Sequence, residues 1–341
     1  MPILRRPEFR FFLFVVSGFV AIGIVAAFAF ARANPIGAGV VVIDTNLGYQ
    51  GGAAAGSGMV LTPSGTVLTN NHVIAGATTI RVVVPNTAHS YKATVVGYDK
   101  SADVAVLRLQ GASNLKTISV AKGAPTVGQA VRAVGNAGGT GSLTSAKGVV
   151  TGLNRSIVAS DEQSAPEQLT GLIETNAGVQ PGDSGGPLLD SAGRVVGMDT
   201  AASANSAYAA DSSDAYAIPI GKALTLAKQI LAGKASATVH IGATAFLGVE
   251  LEPVDGGFGD GGYATSGALI AGVVPGGPAA SAGLTGGDVI TAIDGRSVAS
   301  PGQVSPIILA KKPGARITVA YIDRTGNGYT TTVKLGTGPA Q

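Results

Sequence analysis

Between about residues 40 and 217 the chain reads as a series of short apolar and β-branched runs, each cut off by Gly, Asn or Ser. Runs at 59–61, 66–68, 80–84, 94–98 and 104–109 are followed by others at 131–134, 172–174 and 195–198. None is long enough for an amphipathic helix, and turn residues recur at short intervals. That pattern is the signature of a β-barrel or β-sandwich. Pro63-Ser64-Gly65 is a tight turn between two of the runs, with proline presetting φ.

Composition supports a folded chain. Its 341 residues suggest two domains, and 45% of them are apolar. Only 13% are charged, whereas disorder needs low hydrophobicity with high net charge. The formal net charge of +3 resides in residues 1–40, where Arg5, Arg6, Arg10 and Arg32 face the single acid Glu8. The remainder is neutral and lacks the basic footprint of a nucleic-acid binder. With no cysteine, disulfides, thiolate metal sites and a Cys nucleophile are excluded. No metal or cofactor is expected.

Residues 11–31 are uncharged and mostly Phe, Val, Ile and Ala. At 1.5 Å per residue such a helix crosses a hydrocarbon core of ~30 Å. The arginines before it keep residues 1–10 in the cytoplasm and send the rest outward. A single-pass anchor is expected. The alternative is a cleaved signal peptide, for which Ala31-Arg32-Ala33 has a suitable small-x-small pattern, leaving a secreted protein.

After the strand-rich stretch, residues 219–234 read as a helix with Ile220, Leu224, Ala227 and Leu231 on one side. Residues 235–242 form a small, polar linker. A second, strand-rich unit spans 243–336. Ser300-Pro301 opens a short helix bearing Val304, Ile307 and Ile308, with Pro306 an obstacle inside it.

The chemistry concentrates in Gly182-Asp183-Ser184-Gly185-Gly186-Pro187. A serine hydroxyl attacks only when a base takes its proton and donors stabilise the resulting oxyanion. Glycines on both sides permit the sharp turn that aims backbone N–H groups into one place. Of the three histidines, His89 and His240 read as exposed or structural. His72, in Thr69-Asn70-Asn71-His72-Val73-Ile74, is the candidate base. Asp103 opens the apolar run Val104-Ala105-Val106-Leu107 and is the carboxylate that needs a partner. Asp99 reads as solvated at the turn, and Asp183 as structural.

These three motifs, in the order His, Asp, Ser, resemble the HtrA (DegP-like) family of trypsin-fold serine proteases with carboxy-terminal PDZ domains. The resemblance implies a mainly β fold. A chymotrypsin-like double β-barrel protease domain (40–234) is followed by a linker (235–242) and a PDZ domain (243–336), and preceded by one transmembrane helix (11–31). It also implies Ser184 as nucleophile, His72 as base, Asp103 as its orienter, and the N–H groups of Gly182 and Ser184 as the oxyanion hole. Homotrimers are implied as well.

For the substrate pocket, the segment from Thr175 to Pro181 holds no acid, and Gly178 stands where one would select Lys or Arg. With Val195, Met198 and Thr200 on the pocket-side strand, small aliphatic residues are expected at the cut site. The resemblance implies that the stretches 178–182 and 201–217 are activation loops that order on ligand binding; plain disorder is the alternative. Phe246-Leu247-Gly248-Val249 looks like a PDZ carboxylate-binding loop, with Val304, Ile307 and Ile308 as the helical wall of a peptide groove. Residues 283–295 carry a further PDZ-type signature, and 256–262 read as loop filler.

The resulting expectation is an endopeptidase acting on unfolded exported proteins, with carboxy-terminal peptides bound at the PDZ unit. A peptide-binding chaperone or adaptor with a vestigial protease site is the competing reading. An esterase using the same triad is a third.

Overall fold

The computed structural model describes residues 37–49, 51–85, 87, 89–159, 167–200, 215–253 and 266–340. The apolar segment 11–31, most of the 201–217 stretch and the insertion at 256–262 lie outside the described residues. No helix among the described residues is long and apolar enough to cross a membrane.

Six antiparallel strands build the first barrel: β1 (Val40–Leu47), β2 (Gly52–Val60), β3 (Thr66–Thr69), β4 (Thr79–Val83), β5 (Ser90–Asp99) and β6 (Val104–Leu109). They run in the order β5-β4-β1-β2-β3-β6, and the β5–β6 pairing closes the ring. The period-2 alternation is clean in β4, where Ile80 and Val82 are buried while Thr79 and Arg81 face water. Val41, Ile43, Val67, Ile74 and Leu107 fill the interior.

The second barrel is closed by β7 (Ala130–Gly135), β8 (Thr144–Ala159), β9 (Glu167–Thr175), β10 (Pro187–Asp190), β11 (Val195–Thr200) and β12 (Ala215–Pro219). Its core holds Val131, Val150, Ile173, Leu188 and Ala217. A third apolar cluster joins Met59, Leu68 and Val104 of the first barrel to Leu172, Val195 and Met198 of the second. The barrels therefore meet over a shared core, and the functional residues lie along that seam.

Helix α1 (Ile220–Leu231) caps this seam, burying Ile220, Ala223, Ala227 and Ile230. The buried stripe ends one position earlier than the sequence pattern suggests. Leu231 is 41% exposed, and Ile230, one residue before it, takes the core position instead. Full burial of an isoleucine contributes about 1.5–3 kcal/mol, so this register fixes which way the helix faces.

The expected linker is partly structured. Its last residues form β13 (Val239–Ile241), which extends the first barrel's sheet by pairing with β5. The second unit then opens with β14 (Thr244–Phe246) and a sheet in which β15 (Val249–Pro253) is the edge strand beside β16 (Ala268–Val273). Helix α2 (Pro278–Ser281) follows, then β17 (Val289–Ile293) and β18 (Arg296–Ser297). After helix α3 (Val304–Leu309) come β19 (Arg316–Ile322), β20 (Gly328–Lys334) and β21 (Gly336–Gly338), the last pairing with β14. The sheet order is β15-β16-β17-β19-β20. Pro306 is tolerated because α3 is a single six-residue stretch following a 3₁₀ turn. Its missing N–H falls in the first turn, where helical donors lack partners anyway.

Candidate active site

His72 lies three residues past the end of β3, and Asp103 ends the four-residue turn between β5 and β6. Two bonds join them: the His72 backbone N–H donates to Asp103 Oδ1 at 3.0 Å, and Nδ1 lies 2.9 Å from Oδ2. A carboxylate oxygen can only accept here, so Nδ1 carries the proton and Nε2 is left as the basic nitrogen. The His72 side chain is 40% exposed and that of Asp103 only 6%. The imidazole therefore has one edge anchored in the protein and one turned outward.

Asp103 is held from four directions. Thr200 Oγ1 on β11 donates to Oδ2 at 3.0 Å, and Asn70 Nδ2 donates to its backbone carbonyl at 2.9 Å. The Thr200 bond and the two His72 bonds satisfy a buried carboxylate that would otherwise be costly to desolvate. Its φ of +53° lies in the left-handed region that non-glycine residues seldom enter. The bonds to three other residues hold that conformation in place.

The Ser184 turn is built on glycines for steric reasons. A Cβ on Gly182 would stand 2.2 Å from the Asn136 carbonyl oxygen, and one on Gly185 would meet the Ser57 oxygen at 2.2 Å. Both glycines also have positive φ, +97° and +83°. A side chain on Gly186 would clash with the Val134 oxygen at 2.2 Å. Around them, the Asp183 N–H donates to the Gln180 carbonyl, and Asp183 Oδ2 accepts from the Gln180 N–H at 2.9 Å. Asp183 thus closes the turn through its own carboxylate, as its structural reading expects.

Two chains of bonds tie this turn to the His72–Asp103 pair. On one side, the Ser57 N–H donates to the Ser184 carbonyl at 2.8 Å, and Thr69 Oγ1, three residues before His72, donates to the Ser57 carbonyl. On the other, the Gly185 N–H donates to the Asp199 carbonyl at 2.8 Å, and the next residue, Thr200, holds Asp103. Ser57 also donates its hydroxyl to the Gly182 carbonyl and accepts from the Asn136 N–H. The Ser184 turn and the imidazole–carboxylate pair are therefore braced against each other across the seam.

The expected pocket residues fare unevenly. Val195 and Met198 are buried in the core shared by the two barrels. Thr200 spends its hydroxyl on Asp103. Gly178 is exposed, with open space where a side chain would stand. Sequence reasoning missed Ser57 and Asp199, and it named Thr200 for the pocket and not as a partner of Asp103. It also misjudged Asp99, which is 3% exposed and fully engaged in hydrogen bonds.

Asp199 is 0% exposed, and neither carboxyl oxygen has a hydrogen-bond partner among the described residues. Burial pushes its pKa well above the usual carboxylate range, and Asp183 adds to the push. The nearby Val134 N–H pulls the other way without closing a hydrogen bond. Burial likewise raises Asp183, against the opposing Gln180 N–H.

In the second unit, Gly248 adopts φ +79° between β14 and β15, and the Leu247 and Gly248 carbonyls accept from Ala279 and Val274. Leu247 is buried, and Phe246 stacks on Tyr49 of the first barrel at 4.9 Å. Val249 and Ile307 pack at the margin of the second core, whereas Val304 and Ile308 are buried within it.

Residues 56–198 match the trypsin-like peptidase domain family, and residues 245–335 match the PDZ domain family. The fold and site thus define a trypsin-like peptidase domain joined to a PDZ domain. "Serine protease PepD" of Mycobacterium tuberculosis is 34% identical over 87% of this chain and 63% of its own length. A "Probable periplasmic serine endoprotease DegP-like" of Halomonas elongata is 34% identical over 83% of this chain and 56% of its own. The chain spans less than two thirds of the length of these relatives. Among solved structures, "HtrA-type protease AlgW with tripeptide" superposes with a TM-score of 0.50 at 28% identity, covering 89% of this chain and 95% of that one. The chain belongs to the HtrA (DegP-like) family.

Proposed function

We propose that the chain is a serine endopeptidase working through an acyl-enzyme. His72 Nε2 takes the Ser184 hydroxyl proton as Oγ attacks the scissile carbonyl. The N–H groups of Gly182 and Ser184 stabilise the oxyanion that forms. The tetrahedral intermediate collapses as His72 returns the proton to the leaving amine, and water then repeats the sequence on the acyl-Ser184 ester. Asp103 holds the imidazole in the reactive tautomer throughout.

The observation that carries this reading is the fully bonded Asp103. A buried carboxylate bonded by the His72 backbone N–H, the His72 ring and the Thr200 hydroxyl, with that histidine turned outward, has no simpler explanation in packing. At the cut site, small aliphatic residues are favoured, since residues 175–181 offer no acid.

The second unit captures carboxy-terminal peptides. The loop 246–249 supplies backbone donors, and the open edge of β15 accepts an added strand beside α3. The substrates are unfolded exported proteins. The enzyme works outside the cytoplasm, anchored through residues 11–31 or released after their cleavage, and assembles as a homotrimer. The periplasmic naming of relatives supports the compartment.

Casein hydrolysis tests the reading: the purified chain cleaves casein, and Ser184→Ala abolishes both cleavage and labelling by a fluorophosphonate. Turnover retained in Ser184→Ala, or no turnover in the wild type, sinks it. Asp103→Asn is expected to cost on the order of 10⁴-fold in kcat.

A further inference from the structure

We infer that Asp99 is a positioning residue for the His72–Asp103 pair and that Thr238 couples it to the linker between the two domains. The inference rests on the proposed protease reading for its kinetic consequence, but not for its geometry. Asp99 is the last residue of β5, four positions before Asp103. Its Oδ1 accepts from Ser101 Oγ at 2.8 Å and from the Ala102 N–H at 3.1 Å. Its Oδ2 accepts from Thr238 Oγ1 at 2.8 Å. Every one of these donors belongs to the turn that ends in Asp103 or to the linker.

The turn needs such a brace. It closes with the Asp103 N–H donating to the Lys100 carbonyl at 3.0 Å and leaves Asp103 at φ +53°. A left-handed aspartate is held by its surroundings and not by its own preference. The carboxylate of Asp99 fixes Ser101 and Ala102, the two residues before Asp103, and thereby the direction in which the Asp103 carboxylate meets His72.

The linker is attached just as firmly. Val239 pairs with Asp99 in the β13–β5 ladder, the His240 ring lies 5.0 Å from that of Tyr98, and Tyr98 Oη sits 3.4 Å from Thr244 Oγ1. A Cβ on Gly97 would come within 2.5 Å of the His240 carbonyl oxygen, so β13 lies too close to β5 for any side chain there. Part of the segment expected to be a linker, Val239–Ile241, is therefore a strand added to the first barrel's sheet. Displacing it strips a donor from Asp99 and loosens the turn that aims the catalytic carboxylate.

The experiment compares Asp99→Leu, Asp99→Asn and Thr238→Val in the full chain. It reads kcat and KM on a peptide substrate and the low-field proton NMR resonance of His72 Nδ1–H. Misplacing a catalytic group by about 1 Å costs on the order of 10²-fold. Asp99→Leu is expected to lower kcat by about that factor with KM little changed, and to broaden or shift the Nδ1–H signal. Asp99→Asn keeps the acceptor for Ala102 and recovers most of the loss. Thr238→Val, an exposed position that leaves the barrel core intact, lowers kcat by several-fold and moves the same resonance. If Asp99→Leu does not fold, Thr238→Val decides. A lowered Tm with kcat and the Nδ1–H resonance both unmoved overturns the inference. Because the resonance is read without turnover, it distinguishes failure of this brace from failure of the protease reading.

Discussion

Replacing Asp199 by asparagine isolates the linkage between one buried proton and the stability of the fold. The carboxyl sits on β11 with no hydrogen-bond partner among the described residues, and the charged group that faces it is Asp183. Its folded pKa lies well above the unfolded value of about 3.9. Below that unfolded value both states hold the proton, and the group's contribution is fully present. As pH rises past it, the unfolded chain releases the proton while the folded chain retains it. Stability then falls by about 1.4 kcal/mol per pH unit for the single proton involved, until the folded pKa is reached. The carboxamide of the variant has no such proton to lose. Stability of the wild type relative to Asp199→Asn should therefore drop with that slope from just above pH 4, whatever other carboxylates contribute to both proteins. Urea midpoints followed by far-ultraviolet circular dichroism at half-unit steps from pH 4.5 to 6.5 measure the difference. Parallel curves with a constant offset would show that Asp199 ionises normally in the fold, and the argument from burial would fail.

Thr200→Val removes one donor from a buried carboxylate, a loss worth about 1.5–3 kcal/mol, so kcat should fall by about 10- to 100-fold. Steady-state kinetics on a casein-derived peptide check this, and an unchanged kcat would remove Thr200 from the site. Gly185→Ala forces a Cβ to within 2.2 Å of the Ser57 oxygen at positive φ and should abolish activity or folding. Gly178→Ala, placed in open space, should stay within about 0.5 kcal/mol of wild type by thermal melting. Ile230→Ala should cost about 2–5 kcal/mol, while its exposed neighbour Leu231→Ala should cost little; the reverse order would put the helix stripe where the sequence alone places it.

What can be read from the sequence follows from the range over which each interaction acts. The runs at 59–61, 66–68, 80–84, 94–98, 104–109, 131–134, 172–174 and 195–198 all fall on strands, with Leu61 and Val84 just past a strand end, because short apolar and β-branched runs bounded by turn residues are a local signal. The sixteen residues of β8 escape such a reading because Gly148, Gly152 and the left-handed Asn154 break the alternation, and irregular pairing with β9 accommodates them. The α1 stripe is displaced by one residue because Ile230 and Leu231 are equally apolar, and only the seam beneath decides between them.

The candidate triad is legible for a different reason: its glycines and polar residues are conspicuous as strings even when their partners are far away. Those partners are not legible. Ser57 meets the Gly182 carbonyl across 125 residues and Thr200 meets Asp103 across 97, and neither carries a local signal of its role. Asp99 shows the limit most clearly. A carboxylate beside a Lys-Ser turn has every reason to be solvated if only its neighbours are counted. It is buried because a strand from beyond residue 235 folds back over it and supplies a hydroxyl. The motif residues suggest the proposed reaction, and the distant residues that hold them set the geometry it would need. A variant that keeps His72, Asp103 and Ser184 but loses Thr238 should accordingly keep the sequence signature of the family while losing part of its rate.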